Sequence, residues 1–206
     1  ASISVTSSGA DYLNVSGPIV TGSFTKTGAG KLVLGTFGTN TFSGTNTVSA
    51  GTLRGSAQAI GTVVNNANVE LVGGAVGPGH ISGTGNVLIT GGIADYNALQ
   101  TYGGTTTIDG GSLLAEVTTI PALVTGVGSG GGVTFEDVGN VTHTGTLAGL
   151  LSVAKSQSGV LTLGGSNPYS LGTYVGTGGG GFAIASDTAI GTGQLAVYDP
   201  ANTLEA

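Results

Sequence analysis

The stretch that decides the fold of this chain is Lys26-Thr-Gly-Ala-Gly-Lys-Leu-Val-Leu-Gly35. It contains a short aliphatic run with glycine on both sides, which is typical of a buried β-strand between tight turns. The pattern returns as Gly83-Thr-Gly-Asn-Val-Leu-Ile-Thr-Gly91 and, more loosely, as Ser158-Gly-Val-Leu-Thr-Leu-Gly164. Such internal repetition indicates a repeat architecture, in which each unit buries its apolar face against its neighbours.

Each copy continues in the same way, into an asparagine-containing turn with an aromatic residue and then a threonine-rich strand. The aromatic residues at this turn are Phe42, Tyr102 and Tyr169. With Gly30, Gly85 and Gly159 taken as equivalent, the copies are 55 and 74 residues apart, so the second interval is longer. The repeat-like units cover about residues 17–62, 81–114 and 145–195. Residues 115–142 fit no repeat, and we expect them to form a protruding or irregular coil.

Helix signals are nearly absent, because glycine interrupts almost every window of ten residues and no apolar period of 3.6 residues is sustained. Short runs rich in β-branched residues, separated by Gly, Asn or Ser, predict an all-β chain. Units that each bury one aliphatic row and have no helices suit a parallel β-solenoid, whose coils stack about 4.8 Å apart. At roughly 20 to 25 residues per coil, the chain makes about nine coils, a rod on the order of 40 Å long.

The composition excludes several classes of protein. Glycine supplies 42 of the 206 residues, but it follows no three-residue period and proline is scarce, which excludes collagen. Cysteine is absent, which removes disulfides and thiol chemistry. The formal net charge of −6, with only four Lys and Arg residues, makes nucleic acid and anionic membrane surfaces poor partners. No apolar run approaches the roughly 20 residues of a transmembrane helix.

The first unit points to a family. The stretch quoted above, followed by Asn40-Thr-Phe-Ser-Gly44, Thr47-Val-Ser-Ala-Gly-Thr-Leu53 and Ala59-Ile-Gly61, closely resembles the passenger-associated repeat of bacterial autotransporters, also called the autotransporter-associated β-strand repeat. The other two units match in part. The resemblance implies a right-handed parallel β-helix that is exported through the outer membrane of a Gram-negative cell and displayed or released there. We expect the outer-membrane translocator barrel of such proteins to lie outside this chain.

Parallel β-helices also include polysaccharide lyases and hydrolases, whose chemistry depends on particular charged residues. Lyase chemistry assisted by a metal needs several carboxylates on one face and a basic side chain nearby. The cationic residues are Lys26, Lys31, Arg54 and Lys155. We expect all four to be solvated surface residues, since lysine and arginine are seldom buried. None is therefore expected to act as a catalytic base.

The densest acidic site is Glu136-Asp137, with Glu116 before it and His143 after it. A Ca²⁺ site or a catalytic carboxylate pair is one interpretation, and a solvated loop is the other. Adjacent residues on a strand point to opposite faces, which disfavours a shared ion and favours the loop. His143 and His80 are the only imidazoles, and no Gly-x-Ser-x-Gly nucleophile elbow accompanies them. We expect no catalytic residues and no metal site.

Two glycine-rich strings, residues 126–131 and 176–181, match the dinucleotide-binding pattern Gly-x-Gly-x-x-Gly. That pattern functions only between a strand and a helix whose N-terminus receives the pyrophosphate, and no helix is predicted after either string. We interpret both as corners or loops and expect no cofactor.

The recurring aromatics offer a binding hypothesis. If Phe42, Tyr102 and Tyr169 formed a ladder outside the rod, their rings would provide a platform for sugars, whereas inside the rod they would belong to the core. Their recurrence at one position of the repeat favours the core.

The leading functional hypothesis is an exported structural or adhesive β-helix at the cell surface or in the extracellular space, which mediates attachment or self-association without catalysis. Its expected partners are a glycan or protein receptor on a host or other surface and, through the open ends of the solenoid, further copies of itself. One alternative is a subunit of an extracellular fibre or biofilm matrix joined end to end. A second alternative, from another class, is a carbohydrate-active β-helix enzyme resembling polysaccharide lyases.

Overall fold

The computed structural model describes residues 2–6, 12–35, 40–73, 79–176, 178, 180–198 and 203–205. Every strand pairing in these ranges is parallel, and their only helix is the single turn α1, Ala57–Ile60. The prediction of an all-β parallel solenoid is therefore confirmed. Within the same ranges, no helix has the length and apolar character needed to cross a membrane.

The strands form three sheets that run along the solenoid. A five-stranded sheet contains β1 (Ser2–Ser4), β3 (Thr25–Thr27), β5 (Asn46–Val48), β7 (Val63–Asn65) and β9 (Ile81–Ser82). A four-stranded sheet contains β15 (Val141–His143), β17 (Gly159–Leu163), β19 (Gly180–Ile184) and β21 (Thr203–Glu205).

The third sheet has twelve strands arranged in two adjacent columns. The first column contains β2 (Tyr12–Val15), β4 (Lys31–Leu34), β6 (Thr52–Gly55), β8 (Asn68–Val72), β10 (Asn86–Gly91) and β12 (Thr106–Ile108). The second column contains β11 (Ile93–Tyr96), β13 (Ser112–Ala115), β18 (Gly172–Val175) and β20 (Leu195–Val197). Two long strands, β14 (Leu123–Phe135) and β16 (Thr146–Lys155), cross from the first column into the second.

The path of this sheet from β2 to β20 passes through ten strands, so it takes nine steps from coil to coil, in agreement with the predicted nine coils. Register partners show the coil length directly. From Lys31 to its partner Thr52 is 21 residues, from Thr52 to Asn68 is 16, and from Asn68 to Asn86 is 18. The coils in this part of the rod are therefore near or below the short end of the predicted range.

Side chains along each strand alternate between the interior and the exterior, and those that point inward form the core. Leu32, Leu53, Val69 and Val87 are register partners in four successive coils, and all four are fully buried. Fully burying one such side chain stabilises the folded state by about 1.5 to 3 kcal/mol. Because the side-chain period of a strand is two, the residues between them face outward, which leaves a polar exterior on the same strands.

The first and third repeat units use equivalent strands on different sheets. In the first unit the chain alternates between the five-stranded sheet and the first column, through β3, β4, β5 and β6. In the third unit it alternates between the second column and the four-stranded sheet, through the end of β16, then β17, β18 and β19. Between them, coils with an additional strand shift the chain around the rod. The longer second interval therefore reflects this shift rather than a protrusion.

Residues 115–142 were predicted to form a protruding or irregular coil; the strand in this segment belongs to the solenoid ladder and does not protrude, although its register is irregular. The strand β14 lies in this segment and pairs in register with β12, β13 and β16. Its glycine-rich part, residues 126–132, bends from one column to the other, with a register shift between Gly126 and Gly131. A Cβ on Gly126 would overlap the carbonyl oxygen of Leu150. These glycines therefore allow two coils to approach closely, and they do not form a loop.

Candidate functional site

Three carboxylates meet at one corner of the rod. Asp95 lies on β11, Glu116 directly follows β13 and Glu136 directly follows the second half of β14. These strands are parallel and in register, and the amide of Glu136 donates to the carbonyl of Ala115 at 3.0 Å, so the residues after the strand ends stack in successive coils. They line a cavity of about 390 Å³ together with Tyr96 and Gln157 among others.

The electrostatics of this cavity centre on Glu136. Burial raises the pKa of its carboxyl group, and the negative charges of Asp95 and Glu116 raise it further. A carboxyl group with a raised pKa beside other carboxylates can serve as a general acid. Among the described residues, however, no group of three or more Asp, Glu, His or Cys side chains is arranged to hold a metal ion.

The neighbouring Asp137 does not line this cavity. Its side chain is buried, and both carboxylate oxygens accept the amide N–H of Val117 at 3.1 Å. Its carbonyl oxygen accepts a hydrogen bond from Lys155. Glu136 and Asp137 therefore form no common site, and Asp137 connects two coils of the structure.

Lys26 and Lys155 are not solvated surface residues, so that prediction is wrong for both. Each is almost completely buried. The ammonium group of Lys26 donates to the carbonyls of Thr27, Gly28 and Ala50 at 2.7 to 3.0 Å.

Lys155 is arranged in the same way. Its ammonium group donates to the carbonyls of Asp137, Gln157 and Ser158 at 2.6 to 3.1 Å. Burial lowers the pKa of both lysines, and for Lys155 the nearby carboxylate of Asp137 opposes the shift. Each lysine thus satisfies three carbonyls at a corner where two coils meet, which is the condition under which a buried ammonium group is tolerated.

The two histidines lie far apart in the sheet order and form no catalytic arrangement with a serine in the described structure. Nε2 of His80 is 2.8 Å from the hydroxyl of Thr101. His143 is buried with its ring 5.3 Å from that of Phe135, and its Nε2 atom has no hydrogen-bond partner among the described residues. Burial lowers the pKa of His143, so the imidazole is neutral and belongs to the core.

The three recurring aromatics do not form an exposed ladder. They precede strands in three different places, namely β5 of the five-stranded sheet, β12 of the first column and β18 of the second column. Tyr102 and Tyr169 are buried, and each hydroxyl bonds to a threonine four residues later, at 2.5 Å to Thr106 and 2.6 Å to Thr173. Burial raises the pKa of Tyr102 to about 12 and also raises that of Tyr169.

Phe42 is more exposed, and its ring packs edge-on against that of Phe24 with 5.6 Å between centroids. The two buried tyrosines are therefore unavailable for stacking on a sugar, which agrees with the interpretation of these aromatics as core. The glycine strings likewise lead into no helix: the first lies inside β14, and the second, two of whose residues lie outside the described ranges, runs into β19.

A charged groove that the sequence did not predict lies on the first column. The Glu70 carboxylate accepts Lys31 Nζ at 2.8 Å and the Arg54 guanidinium at 3.1 Å. Arg54 and Glu70 are register partners on β6 and β8, whereas Lys31 reaches Glu70 from two coils away. Glu70 is 16 positions from Arg54 and 39 positions from Lys31 in the sequence. The three residues meet because of the lengths of the coils, which cannot be read from the sequence.

This groove crosses five successive coils, from β4 to β12, and has a volume of about 360 Å³. Besides Lys31 and Glu70, it is lined by the amides of Asn68 and Asn86, the hydroxyl of Thr107 and the aliphatic side chain of Leu88 among others. It combines charged, amide, hydroxyl and apolar groups, which is the mixture found in sites that orient a small polar ligand.

A comparison with known families matches residues 24–54 to the passenger-associated transport repeat. The matched segment runs from just before β3 to the end region of β6 and contains Lys26, Lys31 and Arg54. The first unit is therefore a repeat of this kind, which confirms the resemblance noted in the sequence. No curated protein and no solved structure matches the chain significantly.

Proposed function

We propose that this chain is a structural segment of an autotransporter-like passenger, exposed at the outer surface of a Gram-negative cell, where it mediates attachment or self-association without catalysis. The observation that carries the proposal is the passenger-associated transport repeat at residues 24–54, embedded in a continuous parallel solenoid. Such a rod places its ends on the order of 40 Å apart and presents long polar faces, which suits projection from a surface.

The contacts of the four cationic side chains support a structural role for the chain. Lys26 and Lys155 bond to backbone carbonyls, and Lys31 and Arg54 share the carboxylate of Glu70. Each positive charge therefore holds successive coils together, and none of the four cationic residues lines the cavity around Glu136. A rod with internal polar contacts of this kind resists proteolysis because regular ladders leave few loops.

The test is to express the chain fused to an outer-membrane translocator and to measure surface exposure by protease accessibility and attachment by binding of cells to coated surfaces. Surface exposure with attachment above that of the translocator alone would support the proposal. A rod that is exposed but gives no attachment and no association between cells would contradict the adhesive part.

End-to-end self-association is a second candidate, and the two ends of the rod favour it. Leu13 is the register partner of the buried Leu32, yet it is 44% exposed. At the other end, Leu195 and Val197 pair with the buried Thr173 and Val175 but are 37% and 45% exposed. Core-facing apolar side chains beside unpaired strand edges can be covered by another copy. Sedimentation at increasing concentration tests this: assembly reduced by Leu13→Asp supports it, and a strict monomer contradicts it.

The carbohydrate-active enzyme remains the competing class, supported by the raised pKa of Glu136 in its cavity. Its test is the release of reducing or unsaturated sugar ends from acidic polysaccharides. Activity lost in Glu136→Gln and retained in Asp137→Asn would support catalysis by this cavity. Release that both variants leave unchanged would exclude Glu136 as the acid.

A further inference from the structure

We propose that the groove between β4 and β12 binds a short oligosaccharide that carries a carboxylate group, with Lys31 and Arg54 receiving the carboxylate. This inference rests on the proposed attachment role and names the class of receptor.

Among the described residues, the two exposed cationic side chains lie at or beside this groove: Lys31 lines it, and Arg54 contacts Glu70, which lines it. Of the four cationic residues in the sequence, Lys26 and Lys155 are buried and bonded to carbonyls. The side chains of Lys31 and Arg54 are 35% and 39% exposed, and they share only one carboxylate, Glu70, whose side chain is 8% exposed. The trio therefore has a net charge of +1 on a chain whose net charge is −6.

The buried carboxylate of Glu70 holds the two cations in place before any ligand arrives. It also accepts the hydroxyl of Thr90 at 3.3 Å, so three groups from three strands fix its position. An arginine and a lysine anchored in this way retain donors for a second anion, because a guanidinium group has five N–H donors and an ammonium group has three. A ligand carboxylate bound there gains charge-assisted hydrogen bonds without the cost of ordering two flexible side chains.

The rest of the groove suits sugar hydroxyls. Oδ1 of Asn86 accepts both the amide and the hydroxyl of Thr105, whereas its NH₂ group has no partner in the described part of the chain. The NH₂ group of Asn68 donates to the carbonyl of Gly51, which leaves its oxygen as an acceptor. Together with the hydroxyl of Thr107, these groups offer donors and acceptors along the groove, and Leu88 offers an apolar contact for the C–H face of a sugar ring.

The charge of the remaining surface limits the length and charge density of the ligand. Glu70 is one of ten acidic residues, and it is the only one among the described residues that lines the groove. A long, densely charged polyanion would leave the groove and meet an acidic surface, which opposes binding. A short oligosaccharide with few carboxylates meets the limits on both length and charge density, because its charge is confined to the groove.

The experiment measures binding of tetragalacturonate and of sialyllactose to the full chain by titration calorimetry, with fully methyl-esterified tetragalacturonate as the neutral control. We expect at least one acidic probe to bind, the ester to bind about tenfold more weakly, and affinity to fall with rising salt. Binding of the first probe identifies a uronic acid and binding of the second identifies a sialic acid. If neither binds at millimolar concentration, the proposal is wrong.

Variants of the ion trio separate ligand binding from a purely structural role. Lys31→Gln and Arg54→Gln should each weaken binding about tenfold, because each removes a charged donor. Glu70→Gln should also weaken binding, because it releases both cations from the positions in which they receive the ligand carboxylate. Unchanged binding in both cation variants would overturn the proposal.

Steric variants provide the matched control. Thr107→Phe places a ring in the groove, and Thr134→Phe makes the same change at a half-buried outward position of the second column. Binding should be lost only in the former, with circular dichroism showing that both variants fold. Attachment of displayed cells is measured in parallel: if attachment persists in Lys31→Gln while probe binding is lost, the groove is not the adhesive site and the proposed attachment role stands.

Discussion

The first and third repeat units contain the same buried lysine arrangement on different sheets. Each has a lysine four residues before the glycine that begins the aliphatic strand, Lys26 before Gly30 and Lys155 before Gly159. Each ammonium group bonds three carbonyls, two from its own turn and one from an adjacent coil. They differ in electrostatic surroundings, since in the described part of the chain Lys155 has a neighbouring carboxylate, that of Asp137, and Lys26 has none.

The asparagine turns of the two units also correspond. Asn40 accepts the amide of Ile19 from the preceding coil and donates to the carbonyl of Ala59 in the following coil. Asn167 does the same between Leu147 and Ala189. The comparison shows that the repeat encodes contacts between successive coils and does not encode the sheet on which they occur.

Among the substitutions that compare the two units, removing the buried lysines should change the free energy of unfolding most. Lys155→Met should lower the free energy of unfolding by about 3 to 4 kcal/mol, because three carbonyls lose their donor and Asp137 loses its positive neighbour. Lys26→Met should cost about 2 to 3 kcal/mol, because only the carbonyls are affected. Denaturant unfolding of both variants provides the measurement.

The role of the Asp137 carboxylate is checked by introducing Asp137→Asn into the wild type and into the Lys155→Met variant. In a double-mutant cycle, Asp137→Asn should be less costly in the Lys155→Met variant than in the wild type, with a coupling of about 1 kcal/mol. Equal costs for the two lysine variants, with no coupling, would show that the units do not differ electrostatically.

Removing the asparagine bridges should have an intermediate effect. Asn167→Ala should cost about 2 to 3 kcal/mol and Asn40→Ala about 1 to 2 kcal/mol, because the first change leaves an N–H and the carbonyls of Gly164 and Ala189 without this partner and the second leaves one N–H and one carbonyl. The difference is expected because Asn167 is almost fully buried, whereas Asn40 is half-buried and water can replace part of its contacts. Thermal unfolding compares the two, with Asn140→Ala as an exposed control. The reverse order would contradict burial as the cause.

Acidification should change stability least, and it should lower the local stability of the third unit without changing that of the first. Burial lowers the pKa of His143 in the folded state below its ordinary value of 6.5, so its contribution to stability is complete above pH 6.5 and is lost as the pH falls from 6.5 through the lower folded-state pKa. His143 lies on β15, which pairs with β17 of the third unit, whereas the first unit has no histidine.

Hydrogen exchange at pH 7.5 and pH 5, corrected for the intrinsic rates, should therefore show reduced protection in β15 and β17 and unchanged protection in β4 and β6. The difference should disappear in His143→Leu. If protection changes equally in both units, or if the variant retains the difference, His143 is not its source.

The parts of the fold that local pattern controls were predictable. Lys31-Leu-Val-Leu34 forms a strand with alternating burial, because alternation and flanking glycines act within a few residues. The core position of Tyr102 and Tyr169 was favoured by their recurrence. The solvated positions assigned to Lys26 and Lys155 were wrong because a long cationic side chain normally reaches water, and only the opposing coil supplies the carbonyls that replace it.

The remaining features depend on coil length, which local pattern does not show. The glycine-rich residues 126–132 lack side-chain periodicity, so they suggested a loop, although the close approach of Leu150 makes them the bend within β14. The groove could not be predicted either, because Lys31 and Glu70 become neighbours only when two intervening coils have their observed lengths.

The sequence by itself determined that this protein is a parallel solenoid of about nine coils, since glycine spacing and strand alternation are local properties that each coil repeats. It also determined that positive charge is scarce. The tertiary structure alone decided where that charge acts, because register assigns Lys26 and Lys155 to buried corners and brings Lys31 and Arg54 to one carboxylate. The physical reason is that stacking couples residues about 20 positions apart, and small changes in coil length alter which of them meet.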